Sequence, residues 1–154
     1  MIKSIKAIFI QEAIEIVKII MGLKGSGKTK KLVDLVTEAV NSATGDVVVI
    51  EKEKKLTYDI PYKARLIDAG EYGVSSFAVL KGFLSGLHAG NYDITHIFID
   101  NFFKLVKGSS DEELPSFMDW LEMFSAKENI EFVISVSADI ENCPESMKKF
   151  VLEA

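Results

Sequence analysis

The segment Gly22-Leu23-Lys24-Gly25-Ser26-Gly27-Lys28-Thr29 constrains this chain more than any other feature. Before it runs Ile14 to Met21, rich in β-branched residues, which reads as a buried strand ending at Gly22. After it, Leu32, Val33, Leu35, Val36, Ala39 and Val40 recur on one face of a helix. The chain must therefore pass from strand to helix through Gly22, Gly25 and Gly27. Glycines there let successive N–H groups turn into one concavity, an anion nest. The helix starting near Lys28 adds its positive N-terminal end to the same place. The eight residues fit the pattern G-x-x-x-x-G-K-[ST] at every fixed position, in the strand–loop–helix setting that the mechanism requires. The pattern predicts a cradle for the phosphates of a nucleoside triphosphate. Lys28 is expected on the β- and γ-phosphates, and the Thr29 hydroxyl on Mg²⁺.

The rest of the chain alternates strand and helix signals. Residues 2 to 12 carry apolar residues at helical spacing. Asp46–Glu51 reads as a second strand, and Arg65–Ala69 as a third, short one. Between them, Glu51–Lys63 is the most polar stretch and is expected to be an exposed excursion. Ser75 or Ser76 can cap a helix whose core face is Phe77, Leu80, Leu84 and Leu87, closed by His88 and Gly90. Gly82 and Gly86 lie inside that helix, each weakening it by about 1 kcal/mol against alanine, and are expected to allow close packing on the sheet. Ile94–Asn101 reads as a strand ending in an acid, and Phe102–Ser110 as a loop or irregular helix. Leu114, Phe117, Leu121 and Phe124 mark another helix, with Asp111 to Glu113 where the helix dipole favours acids. Glu131–Asp139 is the last strand, and Pro144 can open a terminal helix through Leu152. The alternation predicts one α/β domain over residues 1 to 154, three-layered, with a mainly parallel central sheet of four or five strands.

Bulk properties narrow the function. The net charge of −5, with acids and bases interspersed, argues against a general nucleic-acid or membrane-surface binder. Charged residues interrupt the apolar N-terminus before it reaches the roughly 18 uncharged residues of a membrane span. A single cysteine, Cys143, forms no internal disulfide and suits a reducing cytoplasm.

Ile97-Phe98-Ile99-Asp100 delivers an aspartate at a strand end, where an acid can hold Mg²⁺ opposite Thr29. Glycine loop, intervening strand, acid-bearing strand and serine-bearing strand together resemble the P-loop NTPase superfamily. The spacing resembles its branch with an additional strand between the P-loop strand and the Walker B strand: the RecA, AAA+ and type II thymidine kinase side. More narrowly, Lys24 to Leu32 followed by Thr95 to Asn101 resembles a group of small bacterial ATP-binding proteins sometimes labelled twitching-motility or pilus-retraction proteins. The resemblance implies an ATP site at Gly22, Leu23, Lys24, Gly25, Ser26, Gly27, Lys28, Thr29 and Lys30, with Mg²⁺ on Thr29 and Asp100. It also implies a polar residue near the γ-phosphate, at Ser135 or Ser137.

The chain departs from the resemblance beside the acid, where Asn101 stands in place of a glutamate. Asparagine can orient an attacking water but cannot take its proton, so ATP hydrolysis is expected to be slow. Glu51, on the strand expected beside Asp100, is the best replacement base, and Glu71 a weaker one. No N/T-K-x-D motif follows, and Lys24 stands four residues before Lys28, not five, which excludes the guanine-specific and second-lysine signatures. Arg65 is the only arginine, whereas a phosphotransferase lid typically uses several; a structural salt bridge is the expected role of Arg65. The sequence leaves two other functions open beside hydrolysis. One is phosphoryl transfer to a small acceptor among Tyr58, Tyr62, Tyr72, Phe102 and Phe103. The other is a non-enzymatic switch using Glu51–Lys63 or Phe102–Ser110, read by a second copy of the chain or another protein.

Overall fold

In the computed structural model, residues 16–53, 56 and 59–152 are described. The helix expected over residues 2 to 12, and Tyr58 of the aromatic set, lie outside the described residues. Five parallel strands form one sheet in the order β1-β5-β4-β2-β3: β1 Val17–Gly22, β2 Asp46–Glu51, β3 Arg65–Asp68, β4 Ile94–Ile99 and β5 Glu131–Ser137. The central strands β2, β4 and β5 are largely apolar and largely buried because helices cover both of their faces.

One face carries a single long helix, α1 (Lys28–Ser42), which buries Leu32, Val36 and Ala39 at helical spacing against Ile20, Val49, Phe98 and Val133. Leu56, Ile60 and Ala64 complete that layer. The stretch expected to be an exposed excursion is thus amphipathic: its few apolar residues cover the sheet where α1 does not reach. The opposite face carries α2 (Phe77–Gly90), the short α3 (Phe102–Leu105) and α4 (Leu114–Glu128). Their core is aromatic, with Phe77, Phe102 and Phe117 in mutual ring contact. The architecture is α/β and three-layered, with an all-parallel sheet.

Local signals explain most boundaries. Ser76, not Ser75, caps α2, its hydroxyl accepting from the Val79 N–H at 3.2 Å. Asp111–Glu113 form a 3₁₀ turn ahead of α4, held by a reciprocal Ser110–Glu113 capping box. Asn129 ends α4 in the left-handed conformation (φ 55°). Two expectations are corrected. The segment after Pro144 is a 3₁₀ turn, Glu145–Phe150, and the chain then lays Val151 beside Ile19 at the β1 edge, so sheet pairing overrides helix there. A Cβ built on Gly82 or Gly86 meets nothing within 4 Å, so these glycines do not mediate close packing on the sheet.

Candidate nucleotide site at the carboxyl ends of the strands

The connections leaving β1 and β4 run to opposite faces of the sheet, which opens a crevice at the carboxyl ends of these strands. The glycine loop fills one side of it. Gly25 and Gly27 have φ of +86° and +87°, values that strain any residue with a side chain. Gly22 is tight for another reason: a Cβ there would collide with the Ser26 hydroxyl. No side chain caps α1 and its first turn holds no acid. Its first N–H with a backbone acceptor is that of Lys31, on the Gly27 carbonyl at 3.1 Å. The preceding helical N–H groups are the ordinary orphans of a helix start.

Lys28 is the unusual member of the loop. It is only 9 % exposed and has no ion-pair or hydrogen-bond partner among the described residues. An unpaired buried ammonium costs several kcal/mol. Gly22, Leu23, Ser26, Gly27 and Lys28 line a cavity of about 380 Å³, closed on its far side by Asp139, Ile140 and Leu152. Lys24, Gly25, Thr29 and Lys30 are exposed beside it, leaving the Thr29 hydroxyl open to solvent.

The other side is built by β4 and its neighbours. Register pairs Ile99 with Ile134 and Gly22 with Ser137, so Asp100 lies level with Ser135, one strand away. Two strand spacings separate β4 from β1, about 10 Å in the plane of the sheet. Asp100 is buried and fully engaged. Its Oδ1 accepts from the Ser135 hydroxyl at 2.7 Å, its Oδ2 from Asn101 Nδ2 at 3.2 Å, and its N–H donates to the Ile50 carbonyl at 2.9 Å. Ser135 Oγ accepts in turn from the Asn101 N–H at 2.9 Å, and the Ser137 hydroxyl donates to Asn101 Oδ1 at 3.1 Å. Asn101 holds a left-handed conformation (φ 51°) at the start of α3. Asparagine tolerates that turn better than glutamate does, a local reason for its presence.

Glu51 ends β2 one residue beyond the Ile50–Ile99 pair and is 3 % exposed, its Oε1 accepting from the Leu56 N–H at 3.1 Å. With Lys52, Glu53, Asp100, Asn101 and Lys104 it lines a small cleft. Glu71 sits on the 3₁₀ turn after β3, outside both the cleft and the glycine-loop cavity.

Three other residue groups fall away from the crevice. Phe102 is wholly buried in the core, Tyr62 is almost fully exposed, and Tyr72 lines a different cavity, so the aromatics do not converge on an acceptor pocket. Arg65 forms no salt bridge among the described residues, which corrects the expected structural ion pair. Cys143 is buried, and burial pushes its thiol up, away from the reactive thiolate.

The sequence singled out Ser135 and Ser137 without their partners, and did not single out Asp139 or Ile140. Ser135 and Ser137, two apart on β5, point to one side of the strand and hold Asp100 and Asn101 respectively; their period was visible, their partners were not. Asp139 and Ile140 close the loop cavity and carry no local signal. Comparison with known families finds no family model that matches the chain, and no curated protein matches it. No described helix is long and apolar enough to cross a membrane.

Proposed function

We propose that this chain is an ATP-binding protein of the P-loop NTPase class, magnesium-dependent, with slow ATP hydrolysis. Lys28 carries the reading: a buried lysine with no counter-charge among the described residues, at the positive end of a 15-residue helix, inside a loop where Gly25 and Gly27 cannot be replaced without strain. A triphosphate supplies the missing negative charge. The position of β5 between β1 and β4 supports the branch that the sequence resembles. The buried Cys143 thiol, without a disulfide, fits a reducing cytoplasmic setting.

The donor set suits Mg²⁺. No cluster of three His, Cys, Asp or Glu residues able to hold a metal occurs among the described residues. Mg²⁺ asks for less, because it takes one or two carboxylates together with substrate phosphates and water. Asp100 and the Thr29 hydroxyl would hold it. When bound, the ion neutralises charge on the β- and γ-phosphates.

Hydrolysis joins a water oxygen to the γ-phosphorus, breaks the bond to the bridging oxygen and releases a proton. Lys28 offsets the developing charge from within the loop. Asn101 can accept no proton, and both ends of its amide are already hydrogen-bonded. Of the two glutamates that line the cleft, Glu53 is exposed, and Glu51, buried beside Asp100, is the candidate base. Its carboxylate is shared with the Leu56 N–H, and a base so engaged gives a low turnover.

One observation favours a second reading, a nucleotide-operated switch. The Asp100–Asn101 hydrogen bond is made by the residue immediately before α3, so recruitment of Asp100 by a metal competes with a contact next to that helix. Equilibrium binding of Mg·ATP and phosphate release, measured on wild type and Lys28→Ala, test the main reading. Loss of both in the variant is expected. Equal affinities and equal rates in the two proteins would sink it. Phosphate release absent from a wild type that still binds ATP would leave the switch, read by hydrogen exchange over residues 102–110.

A further inference from the structure

A larger cavity, about 630 Å³, lies at the amino ends of β2 and β3, between the sheet and the second half of α2. Its volume falls within the range of small-molecule sites. Ile67 and Val48 form its floor, Phe83 and Leu87 its wall. Tyr72 extends that wall, its ring centroid 6.0 Å from Phe83. Gly86 borders the space without filling it, since a Cβ there meets nothing within 4 Å.

The rim is cationic in a chain of net charge −5. Register pairs Arg65 with Val48, and Arg65 shares a face with Ile67, so the only arginine faces the α2 layer at a row otherwise apolar. Neither Arg65 nor the neighbouring Lys63 has an ion-pair partner among the described residues. The one carboxylate of the lining, Asp46, accepts instead from Asn91 Nδ2 at 2.9 Å. Two cations without an ion-pair partner among the described residues thus stand over an apolar, aromatic-walled hollow.

We propose that this cavity binds a small planar aromatic carboxylate, its ring on Phe83 and Tyr72 over Gly86 and its carboxylate on the Arg65 fork. Guanidinium matches a carboxylate with two parallel hydrogen bonds, which an ammonium cannot do. The site is separate from the nucleotide crevice and does not rest on the reading of Lys28.

The test uses the isotope-labelled full chain, titrated with 2-naphthoate and with its neutral isostere 2-naphthamide. Naphthoate is expected to shift the amides of Gly86, Leu87 and Gly90 saturably and to bind more tightly than naphthamide. Arg65→Gln should weaken naphthoate about tenfold or more, the size of a lost charge-assisted pair, and leave naphthamide unchanged. Gly86→Leu should abolish both; leucine is the better helix former, so that loss reports a filled cavity, not a broken helix. Naphthoate shifts that are absent at millimolar concentration, that lie away from Gly86, or that persist unweakened in Arg65→Gln would each overturn the proposal.

Discussion

The two ends of one sheet treat a lysine in opposite ways. At the amino ends, Lys18 is paired with Glu131, which also accepts from His96 Nε2 at 2.9 Å, while the Thr95 hydroxyl contacts His96 Nδ1 at 2.8 Å. The His96 bond, aided by Lys18, holds the Glu131 carboxyl down at about 2. At the carboxyl ends Lys28 is more deeply buried than Lys18 and has no partner among the described residues. A closed ion cluster is what a chain builds to tie strands together. An open cation beside orphan N–H groups is what it keeps for something that arrives from outside. The contrast turns a motif into a physical expectation: the carboxyl end is less stable than it would be if filled, and the amino end is complete in itself.

Four measurements sharpen or break that contrast. The largest effect is expected from the ligand. Mg·ATP at a hundred times its dissociation constant should stabilise the wild type by about 2.7 kcal/mol, the linkage value for one site. Lys28→Met should lose that gain while unfolding no more easily than wild type without nucleotide, because it removes an unpaired buried charge. A ligand-free Lys28→Met that is clearly less stable would mean that Lys28 already has its counter-charge.

Next in size is the closed cluster. Glu131→Gln should cost about 2 kcal/mol near neutral pH, in the range for a charge-assisted bond lost from a partly buried pair. The folded pKa of Glu131 is depressed, so its stabilisation is complete above its ordinary value of 4.5 and is lost as pH falls towards about 2. Denaturant midpoints across that window should fall less steeply in Glu131→Gln than in wild type. Parallel curves would show that this cluster does not carry the acid dependence.

Ser135→Ala should cost about 1–2 kcal/mol by removing a buried partner of Asp100, and should weaken the Mg²⁺ dependence of ATP binding more than metal-free binding. Equal losses with and without Mg²⁺ would reduce Ser135 to a structural hydroxyl. The smallest effect is a gain. Gly82→Ala fills open space on α2 and should raise stability by about 0.5–1 kcal/mol, with nucleotide binding unchanged. A destabilised variant would reveal an unseen contact at that face.

Much of this was legible from residues alone because the signals are local. The glycine loop, the cap at Ser76 and the strand Asp46–Glu51 each depend on a few neighbours in sequence, and each lies where its pattern puts it. The misjudged parts depend on distant neighbours. Leu56 and Ile60 look isolated in a polar stretch until the bare part of the α1 face comes beside them. Gly82 and Gly86 suggested a tight contact, but the packing of distant elements leaves open space beside both. Arg65 looked like half of a salt bridge, but among the described residues it pairs with no acid, and Asp46 in the same lining accepts from Asn91.

The chain by itself determined the class of fold and the shape of the glycine loop, since β-branched runs, helical periodicity and glycines at fixed spacing act over a few residues. It also determined that a strand delivers Asp100 just past its carboxyl end. Only the tertiary structure decided that β5 lies between β1 and β4, that Ser135 and Ser137 hold Asp100 and Asn101, and that Lys28 is buried with no partner among the described residues while Lys18 is paired. Those facts turn on which strands are neighbours, and strand order is set by the packing of both layers at once, a property no short stretch of sequence contains.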